Sequence, residues 1–261
     1  VGSEMCIRDS LRNKLLNKKW LNACLLLGIV LLVAVASCNP MFKNGAMDMT
    51  LASKFDSAIE DNNTYSAVVG RQGSCSTDNF PDSASVLDRI NAYEKKWMSY
   101  IDVPVLSRQN RLFIEGTYAM TGLGSRRFFS VNYMQDMSEH INITFGEGLD
   151  TGKPVEGTYP VIINQQNADT YDLVVGETVS IDKLVDKDGK PVTFTVVGIF
   201  EPKDTTDIYW KETPVDFDKM IFTDQASFDA TVANYGVLTI YYATYNMLDY
   251  AYIDHTNASD I

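Results

Sequence analysis

Cysteine and histidine are scarce in this chain of 261 residues. Its four cysteines are Cys6, Cys24, Cys38 and Cys75, and its two histidines are His140 and His255. No two cysteines have the C-x-x-C spacing, and two histidines supply too few ligands for a Cys/His zinc site. We therefore expect neither a disulfide framework nor a metal site, and packing must hold the folded part together.

Basic residues are scarce beyond residue 38, where 17 Lys and Arg stand against 32 Asp and Glu. Residues 11–20 show the opposite, with four basic residues and no acid. An acidic body repels a phosphate backbone, so nucleic acid is not an expected partner. The 45% hydrophobic and 11% aromatic content is that of a folded protein rather than of a disordered one.

Motifs for catalysis and nucleotide binding are missing. The stretch GLGSRR at 122–127 lacks the GxxxxGK[ST] pattern of a phosphate-binding loop and lies between strand-like runs, so it predicts a turn. No Ser or Cys near His140 stands in a GxSxG context, and His255 has no identifiable partner either. Both are predicted to be surface or capping histidines. We expect no enzyme, no catalytic residue and no cofactor-binding residue in this chain.

Acidic and aromatic clusters have plain structural interpretations. Asp182, Asp186 and Asp188 lack the spacing of a calcium loop, and Asp188 with the following glycine predicts a hairpin turn. The carboxylates of Glu147, Asp150 and Glu156 are expected to form a solvated surface. Cys75 is expected to be an isolated surface thiol. Strand-face packing is the expected role of the tyrosine cluster, which comprises Tyr241, Tyr242, Tyr245, Tyr250 and Tyr252.

The longest apolar run is LNACLLLGIVLLVAVAS at residues 21–37. As a helix these residues would span about 26 Å, close to the hydrocarbon thickness of a bilayer. Trp20 and the pair Met41-Phe42 are placed to reach the two interfaces. We predict a transmembrane helix at 21–38, with a cytoplasmic basic leader at 11–20 and an extracytoplasmic acidic domain in the cell membrane.

Two other interpretations of this run stay open on the residues alone. A cleavable signal peptide also has a basic start and an apolar core, and Ala34-x-Ala36 loosely fits its cleavage site. A lipoprotein signal is the other alternative, since Val35-Ala36-Ser37-Cys38 resembles a lipobox whose cysteine would be acylated.

The two ends of the chain have an unnatural composition. Residues 1–10, VGSEMCIRDS, resemble a translated sequencing-adapter remnant and are set aside as an artefact. The stop at Ile261 follows an aromatic-rich stretch with no closing helix, so the chain is expected to be a C-terminally truncated fragment.

Hydrophobic periodicity predicts helices in the first half of the exterior part. Residues 45–61 repeat apolar positions every four residues and would continue from the membrane helix. A second helix is predicted from Asp82 or Ser83 to Pro104, with its apolar face formed by Val86, Ile90, Tyr93, Trp97 and Tyr100. A first strand is predicted at 65–69, a loop at 70–83, and a hairpin of strands at 112–120 and 128–134.

Short β-branched runs follow Gly146. Strands are predicted at 159–164, 177–181 and 192–200, helices at 165–173 and 224–234, a polar loop at 204–214 and a last strand at 237–245. The predicted fold class is α+β, in which a transmembrane helix precedes a mixed α/β exterior domain with a small β-rich inserted subdomain. The predicted parts are 39–150 for the first α/β portion, 151–215 for the β-rich insert and 216–261 for the truncated return.

Several of these stretches, in this order, resemble FtsX/MacB-like ABC transporter permeases. They are the basic leader and LLLGIVLLVAVAS, then NPMFKNG at 39–45, EHINI at 139–143 with Gly146, VIINQQNADTYDLVVGETVSI at 161–181, and FTVVGIF at 194–200 leading to Tyr209-Trp210. The likeness covers residues 11 to about 253 and rests on order and spacing rather than on a single specific motif.

The resemblance implies a permease subunit of an exporter or mechanotransmission complex, in which the exterior domain is coupled to ATP hydrolysis by a separate subunit. The implied partners are a cytoplasmic ABC ATPase that binds the ATP, a second permease chain and the lipid bilayer. It also implies further membrane helices beyond this sequence. The alternative is a membrane-anchored or lipidated extracytoplasmic binding protein.

Overall fold

The structure is a computed structural model that describes residues 18–62, 64–77, 83–121, 127–149, 157–211, 217–237, 239–259 and 261. Its helices are α1 (Lys19–Asn62), α2 (Ser83–Met98), α3 (Gln165–Tyr171) and α4 (Gln225–Asn234). Its strands are β1 (Val68–Ser76), β2 (Val105–Thr121), β3 (Arg127–Met134), β4 (Ile141–Gly146), β5 (Tyr159–Asn164), β6 (Thr178–Val185), β7 (Pro191–Pro202), β8 (Met220–Phe222) and β9 (Thr239–Leu248). Two 3₁₀ turns lie at Met137–Glu139 and Tyr250–Tyr252. The α+β fold class is confirmed.

Contacts divide the chain into two units. One contains α1 up to Ser53 together with Asp254–Thr256, and the other contains Lys54–Ile253 and Asn257–Ile261. The boundary falls inside α1, which is itself one uninterrupted helix. The predicted continuation of the apolar helix into the helix at 45–61 is therefore confirmed.

The apolar part of α1 is uncovered by protein. Its large side chains are exposed, as in Leu32 at 72% and Phe42 at 81%. Within the described residues α1 is the one helix long and apolar enough to cross a membrane. Pro40 is the exception to its regular hydrogen bonding, because proline has no N–H to offer the carbonyl one turn earlier.

The nine strands in the described part of the chain belong to one mixed sheet. Its order is β1-β9-β2-β3-β8-β5-β7-β4, and β6 pairs with both β2 and β7. Strands β2, β3, β8, β5, β7 and β6 are therefore joined in a closed circuit of pairings. The subdomain boundaries predicted at 150/151 and 215/216 touch stretches outside the described residues and stay a prediction.

Most predicted elements are present, but β1 differs. The predicted strand at 65–69 followed by a loop was wrong, because the strand begins at Val68 and continues through residues 70–76. Glycine and serine lower strand propensity, yet pairing with β9 decides the conformation here. The predicted β2–β3 hairpin is confirmed in antiparallel register, and its connection at 122–126 lies outside the described residues.

The predicted face of α2 is correct at its start and wrong at its end. Val86 and Ile90 are buried in the main core, but Tyr93, Trp97 and Tyr100 are exposed by 58%, 36% and 73%. The helix instead buries Glu94, which is 2% exposed. The large side chains that share the predicted face are therefore buried only in the first half of the helix.

A polar network replaces hydrophobic packing under the second half of α2. Glu94 Oε2 accepts a hydrogen bond of 2.9 Å from the amide of Asn246 on β9. The amide oxygen of Asn246 in turn accepts one of 2.8 Å from Arg108 Nε on β2. A buried carboxylate is tolerable only when its oxygens are hydrogen-bonded, so this network holds the helix on the sheet.

We expect Asn246→Ala to destabilise the folded protein by about 3 kcal/mol, because it leaves the buried Glu94 carboxylate without its amide partner. The measurement is chemical denaturation of the full chain in detergent, followed by tryptophan fluorescence. Asn142→Ala on β4 is the matched control, since its side chain is exposed, and should cost no more than about 0.5 kcal/mol. Equal effects of the two changes would contradict the role of the network.

Candidate functional site

The last turns of α1 pack against the 3₁₀ turn at Tyr250–Tyr252. The rings of Phe55 and Tyr250 are stacked with centroids 5.4 Å apart, and the ring of Tyr65 lies 6.0 Å from that of Tyr250. The Tyr250 hydroxyl donates a hydrogen bond of 2.8 Å to Asp56 Oδ1. We call Phe55, Asp56, Tyr65 and Tyr250 the helix–sheet junction.

Hydrogen bonds tie the chain beside this junction to the sheet. The Tyr65 hydroxyl donates to the carbonyl of Leu248 at 2.6 Å, and the Leu248 N–H donates to the carbonyl of Ala67 at 2.8 Å. The hydroxyl of Ser66 donates back to the Phe55 carbonyl at 3.2 Å. The end of α1 is thus fastened to the end of β9 through both side chains and backbone.

Both tyrosines of the junction have a raised pKa. The hydrogen bond to Asp56 raises the pKa of Tyr250, and burial raises the pKa of Tyr65. A neutral phenol keeps the O–H that each of these hydrogen bonds requires. The raised pKa values therefore favour the protonated phenols on which both hydrogen bonds depend.

His255 has a partner within the first unit, although the sequence offered none. Asp48 Oδ1 accepts the His255 backbone N–H at 2.9 Å and lies 2.8 Å from its Nδ1. The backbone hydrogen bond, and next the side-chain hydrogen bond, lower the pKa of Asp48. This arrangement fixes the histidine to α1.

His140 caps a turn and holds a loop. Its N–H donates to the Met137 carbonyl at the end of the 3₁₀ turn, which agrees with the predicted capping role. Its Nδ1 lies 2.6 Å from Asp207 Oδ2, and its ring is stacked on Tyr209 at 3.8 Å with an interplanar angle of 2°. Burial raises the pKa of Tyr209, whose hydroxyl donates to the Gln135 carbonyl at 2.6 Å.

This cluster makes the loop at 204–214 less polar than predicted. Tyr209 and Trp210 are buried and belong to a second hydrophobic cluster with Phe200 and Phe217. The dipeptide Tyr-Trp was the available signal, since each of these side chains offers a large apolar area for burial. Residues 212–216 of the loop lie outside the described residues.

The acidic candidates are dispersed. Asp186 Oδ1 accepts the N–H groups of Asp188 and Lys190 at 2.9 and 2.8 Å, which confirms the turn between β6 and β7. Glu147 is exposed, whereas Asp150 and Glu156 lie outside the described residues, as does the side chain of Asp182. In the part of the chain that the structure describes, no three His, Cys, Asp or Glu side chains gather as metal ligands.

The tyrosine cluster serves packing on both sides of β9. Tyr241 stacks on Phe113, Tyr242 packs on the main core and Tyr245 is buried. Tyr250 belongs to the junction, and Tyr252 is exposed.

The predicted surface position of Cys75 was wrong: this thiol is half-buried against the main core, and burial raises its pKa.

Phe55→Ala is expected to loosen the last turns of α1, because it removes the ring that stacks on Tyr250. Amides of residues 56–62 should exchange faster with solvent, by the equivalent of about 1 kcal/mol in opening free energy. Hydrogen exchange of the full chain in nanodiscs measures this. Lys54→Ala, an exposed neighbour on the same helix, is the control. Unchanged exchange in Phe55→Ala would mean that the stack does not hold the helix.

Comparisons with known proteins find no family model and no curated protein that matches the chain. Among solved structures, the chain is similar to the periplasmic region of MacB from Actinobacillus actinomycetemcomitans, with 12% identity and a TM-score of 0.33, over 64% of this chain and 68% of that one. It is also similar to a domain whose name assigns it to a permease protein from Porphyromonas gingivalis, with 13% identity and a TM-score of 0.31, over 57% of this chain and 64% of that one. Both TM-scores lie below 0.5, so no family membership follows from these likenesses.

Proposed function

We propose that this chain is part of a permease subunit of an ABC-type transporter, of the exporter or mechanotransmission kind. Its N-terminus lies in the cytoplasm, α1 crosses the membrane, and the sheet domain lies outside. A separate cytoplasmic subunit hydrolyses ATP, and a second permease chain completes the membrane part. This chain contributes the connecting helix and the exterior domain rather than a catalytic centre.

The observation that carries this proposal is the continuity of α1. The helix has 44 residues and is therefore about 66 Å long, roughly twice what a bilayer requires. Its apolar residues 21–37 fit the hydrocarbon, and its polar second half extends to the helix–sheet junction. A simple anchor needs only a flexible tether after the membrane, whereas this helix continues beyond the apolar run to Asn62.

Charge supports the orientation. Four basic residues precede the apolar run within residues 11–20, and the 223 residues that follow residue 38 carry an excess of acids. Lysine and arginine near a membrane helix remain on the cytoplasmic side during insertion. The resemblance of the ordered sequence stretches to FtsX/MacB-like permeases agrees with this arrangement.

The competing function is that of a lipidated or anchored extracytoplasmic binding protein. Its supporting observation is Cys38, which follows Val35-Ala36-Ser37 and is exposed on α1. In that case the apolar run would be a signal peptide that is removed before Cys38. The remaining chain, and its helix, would then begin at the acylated cysteine.

The gene beyond residue 261 tests the proposal directly. We expect its reading frame to encode further hydrophobic spans, and the tagged full product to co-purify with a cytoplasmic ABC ATPase. A stop codon close to residue 261 with no later span would overturn the permease assignment. Incorporation of labelled palmitate that is lost in Cys38→Ala but kept in Cys24→Ala would establish the lipoprotein in its place.

Membrane orientation gives an independent prediction. With the native cysteines replaced by serine, Thr206→Cys should react with a membrane-impermeant maleimide in spheroplasts, because this exposed residue lies in the exterior domain. Lys18→Cys should react only after the membrane is permeabilised. Labelling of both positions in intact spheroplasts would contradict a cytoplasmic N-terminus.

A further inference from the structure

An apolar groove lies on the sheet domain between the end of β4 and the loop that follows α3. Its volume is about 540 Å³, and its lining includes the buried side chains of Ala168, Leu173 and Ile199. Phe145 of β4 and Val174 of the loop also line it, and they are exposed by 63% and 61%. Two large apolar side chains therefore stand in solvent at the same groove.

A register shift in β4 places Phe145 at this groove. Ile143 pairs with Phe200 of β7, and Phe145 pairs with Ile199, so two steps along β4 match one step along β7. Paired residues share a face of the sheet and consecutive residues alternate, so this bulge turns Phe145 to the face opposite Ile143. Ile143 packs against the second hydrophobic cluster, whereas Phe145 lines the groove. The backbone itself thus keeps the aromatic ring out of that cluster.

The loop between α3 and β6 is held in one conformation. The Glu177 N–H donates to the Val174 carbonyl at 3.1 Å, and the Val174 N–H donates to Glu177 Oε2 at 3.2 Å. The Gly176 N–H donates to the Val196 carbonyl of β7 at 2.7 Å. A partner that binds at Val174 therefore does not have to order this loop first, which lowers the entropic cost of binding.

Two carboxylates at the rim of the groove are available to a partner. Asp169 and Asp172 line the groove and are exposed. Asp169 Oδ1 accepts a hydrogen bond of 2.9 Å from Gln165 Nε2. Among the described residues, no lysine, arginine or histidine forms an ion pair with either carboxylate. An occupant with a positive charge beside an apolar side chain complements both features of the groove.

We propose that the groove binds a segment of a partner protein in which a large apolar side chain stands next to lysine or arginine. The apolar side chain packs over Ile199 between Phe145 and Val174, and the cation pairs with Asp169 or Asp172. Buried aromatic contacts dominate the energy of such interfaces, and charge pairs fix their orientation. The same groove of a second copy is disfavoured, because it would bring carboxylates to carboxylates.

The test uses the full chain in nanodiscs of phosphatidylcholine and a displayed library of random twelve-residue peptides. Peptides that bind empty nanodiscs are removed first. Selection should then enrich peptides that combine Leu, Ile, Phe or Trp with a neighbouring Lys or Arg. The best peptide, synthesised with a fluorescent label, should slow hydrogen exchange in residues 173–177 when it binds. Enrichment of acidic peptides, or no enrichment, would overturn the proposal.

Variants at the apolar side chains test the groove itself. Phe145→Ser and Val174→Ser should each weaken binding of the labelled peptide about tenfold, because each removes an exposed apolar contact. Val185→Ser is the matched control, since this valine is 40% exposed at the other end of β6 and does not line the groove. It should change binding less than about twofold. Equal losses at Val174 and Val185 would contradict a specific groove.

Variants at the rim test the charge. Asp169→Asn and Asp172→Asn should each weaken binding about threefold, because each removes one charge and keeps the size of the side chain. Asparagine also tolerates the left-handed conformation at 172, where φ is 52°. Asp188→Asn, in the exposed turn between β6 and β7, is the control and should leave binding unchanged. Binding that resists both rim changes would remove the cation from the proposal and overturn it.

A second copy as occupant gives a different result. Sedimentation of the full chain in detergent should show no association that depends on Phe145. Dimers that are lost in Phe145→Ser would assign the groove to a second copy and overturn the proposal. These outcomes are independent of whether the chain is a permease.

Discussion

The hydrogen-bonded ladders that β9 makes with both of its neighbours are the interaction on which the sheet domain depends. On one side β9 pairs with β1 and on the other with β2. It carries Asn246, which satisfies the buried carboxylate of α2, and it ends at Leu248, to which Tyr65 donates. The helix–sheet junction and the polar network under α2 therefore both depend on this one strand.

Local patterns predicted the elements whose conformation is decided by neighbours in sequence. The capped helix α4 and the Asp-Gly turn between β6 and β7 follow from residues within a few positions of each other. The apolar run and its continuation into one helix were also predictable, because helical periodicity persists across the polar residues that follow Pro40.

Long-range pairing decides what the sequence could not predict. Residues 70–76 contain glycine and serine and read as a loop, yet they form a strand because β9 lies beside them. Asp56 and Tyr250 are 194 residues apart, so no local signal connects them. The buried face of α2 was not predictable for a related reason. The carboxylate of Glu94 can be buried only because Asn246 and Arg108 complete its hydrogen-bond network, and these two residues lie on β9 and β2, far away in sequence.

The position of β9 in the chain also constrains the order of folding. Strand β1 leaves the ribosome first, but the partner that fills its ladder comes about 170 residues later, at Thr239–Leu248. Contacts so distant in sequence form late, because closing the long intervening loop costs conformational entropy before the contact contributes any stabilisation. Nearly the whole sheet domain must therefore be synthesised before its first strand has a neighbour. Until then β1 and β2 each expose an unpaired edge, and such edges promote aggregation unless another protein covers them.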